Sequence, residues 1–516
     1  MIYSFSPFGY EGQLITIEVD LRRGIPAVDI VGLADSCIKE SRERVIAAIK
    51  NNGFDFPSER VLISLSPADL KKESEFDLPI ALEILKTQSI LYDSLDEDVV
   101  EKMSKTHVLV MGKLDVSGKI LPVKGIHGAC STALAYGIEY AILPKGTDVP
   151  VGIKVCEVEN LGEAFYALLN IGNNCYFKTK DEKIKSDFST KSNPVFDDSD
   201  FSTKFDELKL NGLKYAMTVA AAGRHNLLAF GSPGCGKTLA LQMMPLLTPR
   251  LTFEQTQSVT RIWSLAGLMK PDESYIKTRA FRMPHQTASI EGICGGGVNV
   301  RPGEISLAHN GTLFLDEASE FRCSVLQMLR VPLESKTITL VRSGRSTVYP
   351  ANFQLIMAAS PCPCGNYGSS ERICLCSMTS IKQYWKKFGD PLLDRVEIRY
   401  DCNADKVFNR KLNLNELNLN EARELITRAW KRQMKRQGKM NSELDSAEII
   451  KICQLSEQAC KRLEYYELTR GYSSRTVANI LKVARTLHDM FDEEESDVIT
   501  DIDIAVALHG KLPLEV

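Results

Sequence analysis

The sequence has almost no excess of charge of either sign. Its 516 residues include 63 Lys and Arg and 66 Asp and Glu, giving a formal net charge of -3. This balance excludes a strongly basic protein that coats nucleic acid with its whole surface, but it is compatible with local basic surfaces. Nucleic acid therefore stays open as a partner.

Long apolar runs are missing as well. No uninterrupted apolar stretch reaches the roughly 18 residues of a membrane-spanning helix, and the N-terminal MIYSFSPFGYEG has neither the basic segment nor the apolar core of a signal peptide. The sequence predicts no membrane partner and a cytoplasmic location. In that reducing compartment the 14 cysteines are expected to be reduced, buried or metal-bound rather than paired in disulfides.

Four segments differ in their residue patterns, and the length of the chain suits several domains. Residues 1–177 mix β-rich runs with helical stretches, which predicts an α/β or α+β domain. Residues 178–204 are polar and charged and predict a linker. Apolar strand-like runs alternate with helices over 205–402, which predicts a parallel α/β core, and 403–516 carry only helical patterns.

The segment LLAFGSPGCGKTLA predicts a phosphate-binding loop between a strand and a helix. Its predicted nucleotide-binding residues are Gly231, Ser232, Pro233, Gly234, Cys235, Gly236, Lys237 and Thr238. Glycines let backbone N–H groups turn toward phosphate, Lys237 reaches the β and γ phosphates, and Thr238 ligates Mg²⁺. Cys235 is interpreted as a small spacer rather than a redox switch. The loop predicts ATP and Mg²⁺ as cofactors.

A second acidic motif, GTLFLDEASEF, follows about eighty residues later. Four apolar strand residues end at Asp316 and Glu317, at the edge where a parallel strand faces the phosphate-binding loop. Asp316 is predicted to join the magnesium shell. Glu317 is predicted to be the catalytic residue that polarises the attacking water.

Four cysteines lie within fifteen residues in a CxC-x9-CxC arrangement: Cys362, Cys364, Cys374 and Cys376. Two close pairs separated by a glycine-containing turn can converge on one tetrahedral Zn²⁺. Four protein ligands leave no open coordination position, so a structural zinc site is predicted. Four unrelated thiols are the alternative, because CxC is tighter than the common CxxC spacing.

A β-hairpin is predicted over Thr337–Tyr349, where apolar and polar residues alternate on both sides of Ser343-Gly344. Arg342 and Arg345 flank this turn and are candidate DNA-binding residues, since cations can grip a phosphate backbone. A solvated hairpin tip is an equally open interpretation. The glycine-rich stretch from Ser289 to Pro302 is a candidate companion loop.

Several long motifs together resemble the magnesium chelatase-like AAA+ ATPases, and within them the YifB/ComM family. They are GSPGCGKT, FRMPHQTASIEGICGGGVNVRPGEISLAHNGTLFLDE, FQLIMAASPCPCGNYG and DPLLDRVEI. The stretch VDIVGLADSCIKESRERVIAAIKNNGFDFPSERVLISLSPADLKKESEFDLPIALEIL is similar to the N-terminal half of the same family. The resemblance covers nearly the whole chain outside the linker and implies a P-loop AAA+ core with a C-terminal helical lid.

The resemblance also implies roles for residues outside the phosphate-binding loop. Arg395 matches the arginine finger that reaches a neighbouring subunit's nucleotide, and Arg475 matches the arginine of the second sensor, so a ring, expected to be a hexamer, is implied. Ser360 stands where relatives usually have the asparagine of the first sensor; its hydroxyl can still orient water, with shorter reach. Leu210-Asn211 replaces a usual glycine–glutamine pair, which puts the adenine contacts in doubt.

The stretch MGKLDVSGKILPVKGIHGACSTALAYGIEYAILPK resembles the end of a Lon-type protease domain. Such a protease needs a serine nucleophile and an activating lysine. Here the nucleophile region, residues 76–81, contains no serine, and His127 stands at the expected lysine position. The expectation is a Lon-like fold without peptidase activity, with Lys72 and Ser74 as the alternative dyad.

These features together predict an ATP-hydrolysing, ring-forming AAA+ motor that acts on DNA, because the family it resembles includes a branch-migration motor. Two other functions stay open at this point. One is the ATPase subunit of a complex that inserts metal into a porphyrin, and the other is an ATP-dependent regulator or protease.

Overall fold

The computed structural model describes fifteen stretches of the chain: 1–7, 9–31, 36–67, 76–92, 95–147, 152–173, 175–179, 194–197, 202–269, 275–297, 300–342, 345–369, 372–404, 416–492 and 496–509. Lys72, Ser74, the Ser343-Gly344 turn and most of the predicted linker lie outside these residues. For Arg342 and Arg345 only the backbone is described.

The N-terminal region contains a mixed eight-stranded sheet with five helices. Its strands are β1 (Ile2–Ser6), β2 (Gln13–Arg22), β3 (Val28–Val31), β4 (Arg60–Ser66), β5 (Val108–Val110), the hairpin strands β6 (Lys113–Leu114) and β7 (Ile120–Leu121), β8 (Tyr140–Pro144), β9 (Lys154–Val158) and β10 (Lys178–Thr179). The sheet order is β10-β9-β8-β5-β1-β2-β4-β3. The helices are α1 (Ser36–Asn51), α2 (Asp77–Leu91), α3 (Glu97–Lys105), α4 (Ile126–Ala135) and α5 (Leu161–Leu169).

Side chains along each strand point alternately to the two faces of the sheet, which explains why one face lies in the core. On β4, Val61, Ile63 and Leu65 are buried, and on its antiparallel neighbour β2 Ile15 and Ile17 are buried. Successive side chains of a strand point to opposite faces, so a period of two places these residues together. The predicted α/β or α+β character of this region is confirmed.

A five-stranded, all-parallel sheet forms the second core, in the order β12-β15-β18-β11-β19. Its strands are β11 (Leu227–Phe230), β12 (Phe281–Arg282), β15 (Thr312–Leu315), β18 (Gln354–Ala359) and β19 (Ile398–Asp401). Two small pairs accompany it: β13 (Gly295–Gly296) with β14 (Arg301–Pro302), and β16 (Thr337–Arg342) with β17 (Arg345–Pro350). The predicted parallel α/β core and hairpin are thus confirmed.

Helices cover both faces of the parallel sheet, which explains its continuous apolar strands. They are α6 (Ser202–Glu207), α7 (Asn211–Gly223), α8 (Lys237–Leu241), α9 (Met244–Leu247), α10 (Phe253–Ala266), α11 (Ile290–Cys294), α12 (Glu304–Leu307), α13 (Cys323–Met328), α14 (Arg330–Ser335), α15 (Met378–Lys386) and α16 (Asp390–Leu393). Every residue of β11, β15 and β18 is buried, as expected for parallel strands packed on both faces.

The C-terminal region consists mainly of α17 (Leu419–Gln437), α18 (Ser446–Ile452), α19 (Glu457–Arg470), α20 (Ser474–Phe491) and α21 (Asp501–His509). The prediction of helix alone is wrong at one place. Strand β20 (Gln454–Leu455) interrupts the expected helix and pairs in parallel with β21 (Val498–Ile499). Ser456 restarts the helix, because its side chain accepts a hydrogen bond from the N–H of Ala459. None of the described helices is long and apolar enough to cross a membrane.

The N-terminal sheet packs against the parallel core through the segment after β1. The Tyr10 N–H donates to Thr347 Oγ1 at 3.1 Å, and the guanidinium of Arg261 lies 4.5 Å from the centre of the Tyr10 ring. Part of the predicted linker is also packed: Arg250 binds Asp197 at 2.6 Å, and Arg423 stacks on Phe196.

Candidate nucleotide-binding site

The predicted phosphate-binding loop lies between β11 and α8, at the carboxyl edge of the parallel sheet. Gly234 and Gly236 have φ angles of +80° and +94°, in the left-handed region that side chains with a Cβ disfavour. A Cβ at Gly231 would approach Cys402 to 2.9 Å. The loop therefore needs glycine at these three positions for its shape.

Lys237, the first residue of α8, turns back into the loop. Its Nζ donates to the carbonyl oxygens of Gly231 at 2.7 Å and Ser232 at 2.9 Å. The side chain is buried, so an ammonium group stands inside the curve of the backbone. A thiol hydrogen bond from Cys402, with a further contribution from Lys237, lowers the pKa of Cys235 to about 6.

The two candidate magnesium ligands touch each other. Thr238 Oγ1 donates to Asp316 Oδ1 at 2.9 Å, across 78 residues of sequence. The N–H of Glu317 donates to the same oxygen at 3.0 Å. Glu317 is exposed and has a φ of +46°, a conformation rare for residues other than glycine. The strand end thus directs Asp316 to the loop and leaves the Glu317 carboxylate facing solvent.

Asn403 is a residue of this site that the sequence interpretation missed. Its Oδ1 accepts from the Ser232 N–H at 3.0 Å, and its Nδ2 donates to the Tyr367 carbonyl at 3.2 Å. Ser360 follows β18 at the same sheet edge, and its carbonyl accepts from the Tyr384 hydroxyl at 2.9 Å. No strand was predicted directly before Asn403, which follows β19, so its position at the sheet edge was not anticipated from the sequence.

The four clustered cysteines converge beside the phosphate-binding loop. Their sulfur atoms all lie within 4.8 Å of one another, and Cys362 Sγ lies 3.4 Å from Cys364 Sγ and 3.6 Å from Cys374 Sγ. A zinc ion with ligands at ~2.3 Å sets tetrahedral S···S edges of roughly 3.8 Å, so the arrangement fits a four-thiolate ion site. The Asn366 N–H is the main cause that lowers the pKa of Cys364 to about 6, which favours the thiolate.

The cysteine loop and the phosphate-binding loop are in direct contact. A Cβ on Gly365 would lie 2.6 Å from Pro233 Cγ. The Tyr367 N–H donates to Cys362 Sγ at 3.4 Å, and Tyr367 is the residue whose carbonyl binds Asn403. A short chain of hydrogen bonds therefore joins the cysteine cluster to Ser232.

Arg395 and Arg475 meet at the opposite edge of the parallel sheet. Both pair with Glu334: Arg395 through Nη2, and Arg475 through Nη2 at 3.6 Å. Asn226 and Glu397, which precede β11 and β19, line the same cleft of about 780 Å³. We call this cavity the arginine cleft. The chain's own phosphate-binding loop follows β11, so the structure does not bring the two arginines to it.

The Nε atom of Arg395 has no hydrogen-bond partner among the described residues. Its Nη1 donates to the Pro391 carbonyl at 2.5 Å, but its buried Nε makes no hydrogen bond. Hydrogen bonding from Arg395 is the first cause that lowers the pKa of Glu334. Arg395 thus keeps one free donor in the cleft and has the exposed Glu334 carboxylate as its ion-pair partner.

Arg224, Lys336 and Glu443 are partly buried charged residues that line the arginine cleft, and His309 lies outside its lining. Burial lowers the pKa of Arg224 and of Lys336. Burial raises the pKa of Glu443, but the charge of Arg224 and a hydrogen bond from Asn352 leave it lowered overall. Burial, with Arg224 and Arg279, lowers the pKa of His309 to about 3. The sequence pattern gave no sign of this cluster.

The hairpin that carries Arg342 and Arg345 pairs these two residues directly across its strands. At its base, the Tyr349 hydroxyl donates to the Val300 carbonyl at 2.8 Å. The hairpin is therefore attached to the glycine-rich stretch, the predicted companion loop.

Residues 76–81, which the sequence resemblance matches to a Lon-type nucleophile region, lie at the start of α2. Asp77 is fully buried, with Arg44 Nε 3.1 Å from its carboxylate and the Ser41 hydroxyl donating to it. Burial raises the pKa of Asp77. Ile80 is buried, and the buried His127 ring lies 5.6 Å from that of Tyr275.

Three family models match the chain. The model described as "Magnesium chelatase, subunit ChlI" matches residues 209–409, "Subunit ChlI of Mg-chelatase" matches 17–147, and "Magnesium chelatase, subunit ChlI C-terminal" matches 418–511. The parallel sheet, its P-loop motif and these matches define the class as a magnesium chelatase-like AAA+ protein, and they support an ATPase.

Relatives that match nearly the whole chain identify one family within this class. The uncharacterized protein YifB of Escherichia coli (strain K12) is 32% identical over 97% of this chain and 94% of its own. The competence protein ComM of Haemophilus influenzae is 33% identical over 96% and 94%. YifB of Salmonella typhimurium is 32% identical over 95% and 93%. The chain belongs to the YifB/ComM family.

Proposed function

We propose that this protein is an ATP-hydrolysing ring motor that moves along or remodels DNA in the cytoplasm. The observation that carries the ATPase part is the contact between Thr238 and Asp316 beside the glycine loop. Two magnesium-type oxygen ligands from distant parts of the chain meet where the loop can bind phosphate. The family membership supports the same conclusion.

Each residue of the site has its own role in the proposed hydrolysis. When ATP binds, the Lys237 ammonium group gives up its hydrogen bonds to the carbonyl oxygens of Gly231 and Ser232 and donates to phosphate oxygens instead. Thr238 and Asp316 would hold Mg²⁺, and a bound ion would supply positive charge to neutralise developing phosphate charge. Glu317, exposed at the sheet edge, orients water as the general base.

Ser360 follows β18 beside this site and serves as the first sensor. A hydroxyl supplies one donor where relatives usually have an amide, so its hold on water or the γ-phosphate is weaker. Slow turnover is expected from this position.

Arg395 and Arg475 act on the nucleotide of the next subunit. Both lie in the arginine cleft, at the other edge of the sheet from their own phosphate-binding loop. An arginine can stabilise the charge on the γ-phosphate only if it reaches it. A closed ring, proposed to be a hexamer, supplies each loop with the cleft of its neighbour.

DNA is the proposed substrate of the motor. Arg342 and Arg345 pair across the hairpin, next to the turn. In the proposed ring, this part of the hairpin faces the central pore and places positive charge there. The relative from Haemophilus influenzae is named a competence protein, which favours DNA over a porphyrin. Contacts of this kind bind backbone rather than bases.

The cysteine cluster is proposed to hold one structural Zn²⁺. Cys362, Cys364, Cys374 and Cys376 would bind it, leaving no position for a substrate. The ion would stabilise a loop that contacts Pro233 of the phosphate-binding loop.

The N-terminal region is proposed to be a Lon-like domain that does not cleave peptides. Its limits are proposed as 1–177, followed by a linker over 178–204, the AAA+ core over 205–402 and the helical lid over 403–516. The sequence at the start of α2 supports the absence of proteolysis, because residues 76–81, which match the nucleophile region, contain no serine.

The test is ATP hydrolysis by the full-length protein with and without single-stranded and branched DNA at low salt. Stimulation by DNA, together with ATP-driven strand displacement, is the expected result. If DNA neither binds nor stimulates hydrolysis, and a porphyrin-metallating partner does, the chelatase alternative replaces the DNA motor.

A further inference from the structure

Two cysteines that lie far apart in the sequence meet at the phosphate-binding loop. Cys402 directly follows β19, whose last residue, Asp401, is aligned with Phe230 at the end of β11. A Cβ on Gly231 would lie 2.9 Å from the Cβ of Cys402, so the Cys402 side chain lies against the start of the loop. There its thiol is hydrogen-bonded to the sulfur of Cys235.

Cys235 has the surroundings of a reactive thiol. Lys237 Nζ donates to Cys235 Sγ at 3.6 Å. The hydrogen bond from Cys402 is the first cause that lowers the pKa of Cys235 to about 6, against the opposing effect of burial, and the charge of Lys237 adds to it. The side chain is half-buried beside the exposed Gly234, so a small reagent can reach it. The thiolate is the nucleophilic form of cysteine.

Cys402 has the opposite character. It is buried, and its hydrogen bond with Cys235, followed by burial, raises its pKa well above the usual value. It therefore stays a neutral thiol that is shielded from solvent. An accessible thiolate beside a second cysteine is the arrangement in which the first oxidation product is captured as a disulfide. The sequence interpretation of Cys235 as a small spacer did not include this contact.

We propose that Cys235 is an oxidation site of the phosphate-binding loop, at which a hydroperoxide converts Cys235 and Cys402 into a reversible disulfide. With hydrogen peroxide, the Cys235 thiolate attacks one oxygen and the O–O bond breaks, which leaves a sulfenic acid and releases hydroxide. The Cys402 sulfur then attacks the sulfenic sulfur, and the S–O bond breaks. The hydroxyl leaves with the thiol proton as water. The peroxide gains the two electrons that the two thiols lose.

The disulfide is expected to disable the loop. An S–S bond of ~2.05 Å is much shorter than a hydrogen-bonded contact between two sulfur atoms, so one backbone has to move. Cys402 follows a strand of the parallel sheet, and its neighbour Asn403 is bonded to Ser232 and Tyr367. Cys235 lies between two glycines, so the loop is the part that yields. A misplacement of ~1 Å in a catalytic site can cost about 10²-fold in rate.

The bond itself rests on the contact between the two thiols, whereas its effect on turnover rests on the proposed ATP hydrolysis. The experiment treats the reduced full-length protein with increasing hydrogen peroxide and follows phosphate release from ATP and the cysteine peptides by mass spectrometry. A peptide that joins Cys235 to Cys402 should accumulate as turnover falls by about tenfold or more. A dithiol reductant should remove the linked peptide and restore turnover.

The variant Cys402→Ser isolates the role of the second sulfur. Its hydroxyl can still donate to Cys235, so turnover before treatment should stay within about twofold of the wild type. Peroxide should give no linked peptide, and dimedone should label the sulfenic acid on Cys235. Excess peroxide should then abolish turnover permanently, because a sulfinic acid is not reduced by thiols. Cys460→Ser, at an exposed cysteine, should behave as the wild type.

Two results would overturn the oxidation site. One is loss of turnover with disulfides confined to the cysteine loop while Cys235 stays reduced. The other is full recovery of Cys402→Ser after excess peroxide, since that variant keeps all four clustered cysteines. If the buried substitution destabilises the chain, the wild-type peptides decide the question without it.

This proposal and the proposed function fail in different ways. If the reduced wild type hydrolyses no ATP, the proposed function fails, and the linked peptide still tests the oxidation site. If the protein hydrolyses ATP but peroxide never links Cys235 to Cys402, the oxidation site alone is wrong.

Discussion

Lys237 shows how one side chain prepares the site for its ligand. It satisfies its charge with two carbonyls of its own loop, and phosphate oxygens provide stronger, charge-assisted partners. Binding therefore replaces hydrogen bonds already made by a positioned ammonium group. The same loop without this amine retains its glycines but loses the positive charge that faces the phosphate.

Removing the proposed catalytic carboxylate, Glu317, should separate ATP binding from hydrolysis. Glu317→Gln should bind ATP with a Kd within about twofold of the wild type, because the amide keeps the shape of the side chain, but turnover should fall by about 10²-fold or more, as for loss of a general base. Lys237→Ala should instead lose binding. Nucleotide binding and phosphate release, measured on both variants, provide the check. Full turnover in Glu317→Gln would remove this residue from the mechanism.

Contacts between residues that lie far apart in the sequence were the hardest to predict. The glycine loop, Asp316 and Glu317 follow apolar strands, so a local pattern identifies them. Glu334 shares two arginines 61 and 141 residues away, and Asn403 joins two loops, so only the fold reveals these contacts. The positions of Arg395 and Arg475 opposite their own loop could not be read from either motif.

At the scale of elements, the hydrophobic pattern predicts a strand correctly where that strand is buried on both faces. The predicted strand from Thr312 to Leu315 is found unchanged. The expectation of helix alone over 403–516 fails at Gln454–Leu455. The apolar Cys453 and Leu455 lie two residues apart, which suits a short strand as well as a helix, and pairing with β21 decides between them. Tertiary pairing of this kind leaves no periodic signal in a single sequence.

The cysteine loop should contain about one Zn²⁺ per chain. Cys364→Ser should lose the metal because a hydroxyl is a poor replacement for a thiolate ligand, whereas Cys460→Ser, at an exposed helical cysteine, should keep it. Elemental analysis of protein purified under reducing conditions measures this. Metal-free wild-type protein would contradict the prediction and leave the loop ordered by packing alone.

The last helices should become less stable as the pH rises. Burial lowers the pKa of His488, but bonds to Asp503 and to the Ser496 carbonyl leave it raised overall. Both partners are acceptors, so they stabilise the imidazolium. Its contribution is complete below the unfolded value of about 6.5 and is lost as pH rises through the higher folded pKa.

Urea unfolding of the wild type and of His488→Gln between about pH 5.5 and 9 tests this linkage. The gap in unfolding free energy should be largest at the acidic end and should narrow as the pH rises. A gap that widens with pH would show that the neutral ring is the stabilised form.

At the scale of the whole molecule, we propose that the two edges of the parallel sheet carry complementary halves of one catalytic unit. An Arg395→Ala subunit keeps its phosphate-binding loop and a Lys237→Ala subunit keeps its cleft, so mixing them should restore activity at shared interfaces. Restored turnover is expected to be a fraction of the wild type, against a loss of about 10³-fold or more for Arg395→Ala alone.

Arg22→Ala, at an arginine that is 62% exposed on the N-terminal sheet, is the control for this mixing experiment and should be active by itself. Phosphate release measured across mixing ratios and total concentrations gives the answer. Activity that is independent of concentration and shows no complementation would mean that each subunit works alone.

The proposed DNA binding requires the proposed ring, because the paired arginines of one hairpin would neutralise few phosphates and a circle of hairpins would neutralise many. Each phosphate contact releases counterions, so binding should weaken as salt rises. Arg342→Ala/Arg345→Ala should make that salt dependence shallower and abolish stimulation by DNA. Hydrolysis without DNA should persist, since neither arginine belongs to the nucleotide site. Arg42→Ala/Arg60→Ala, on the N-terminal region, is the matched control, and an equally shallow slope in it would assign the effect to overall charge rather than to the hairpin.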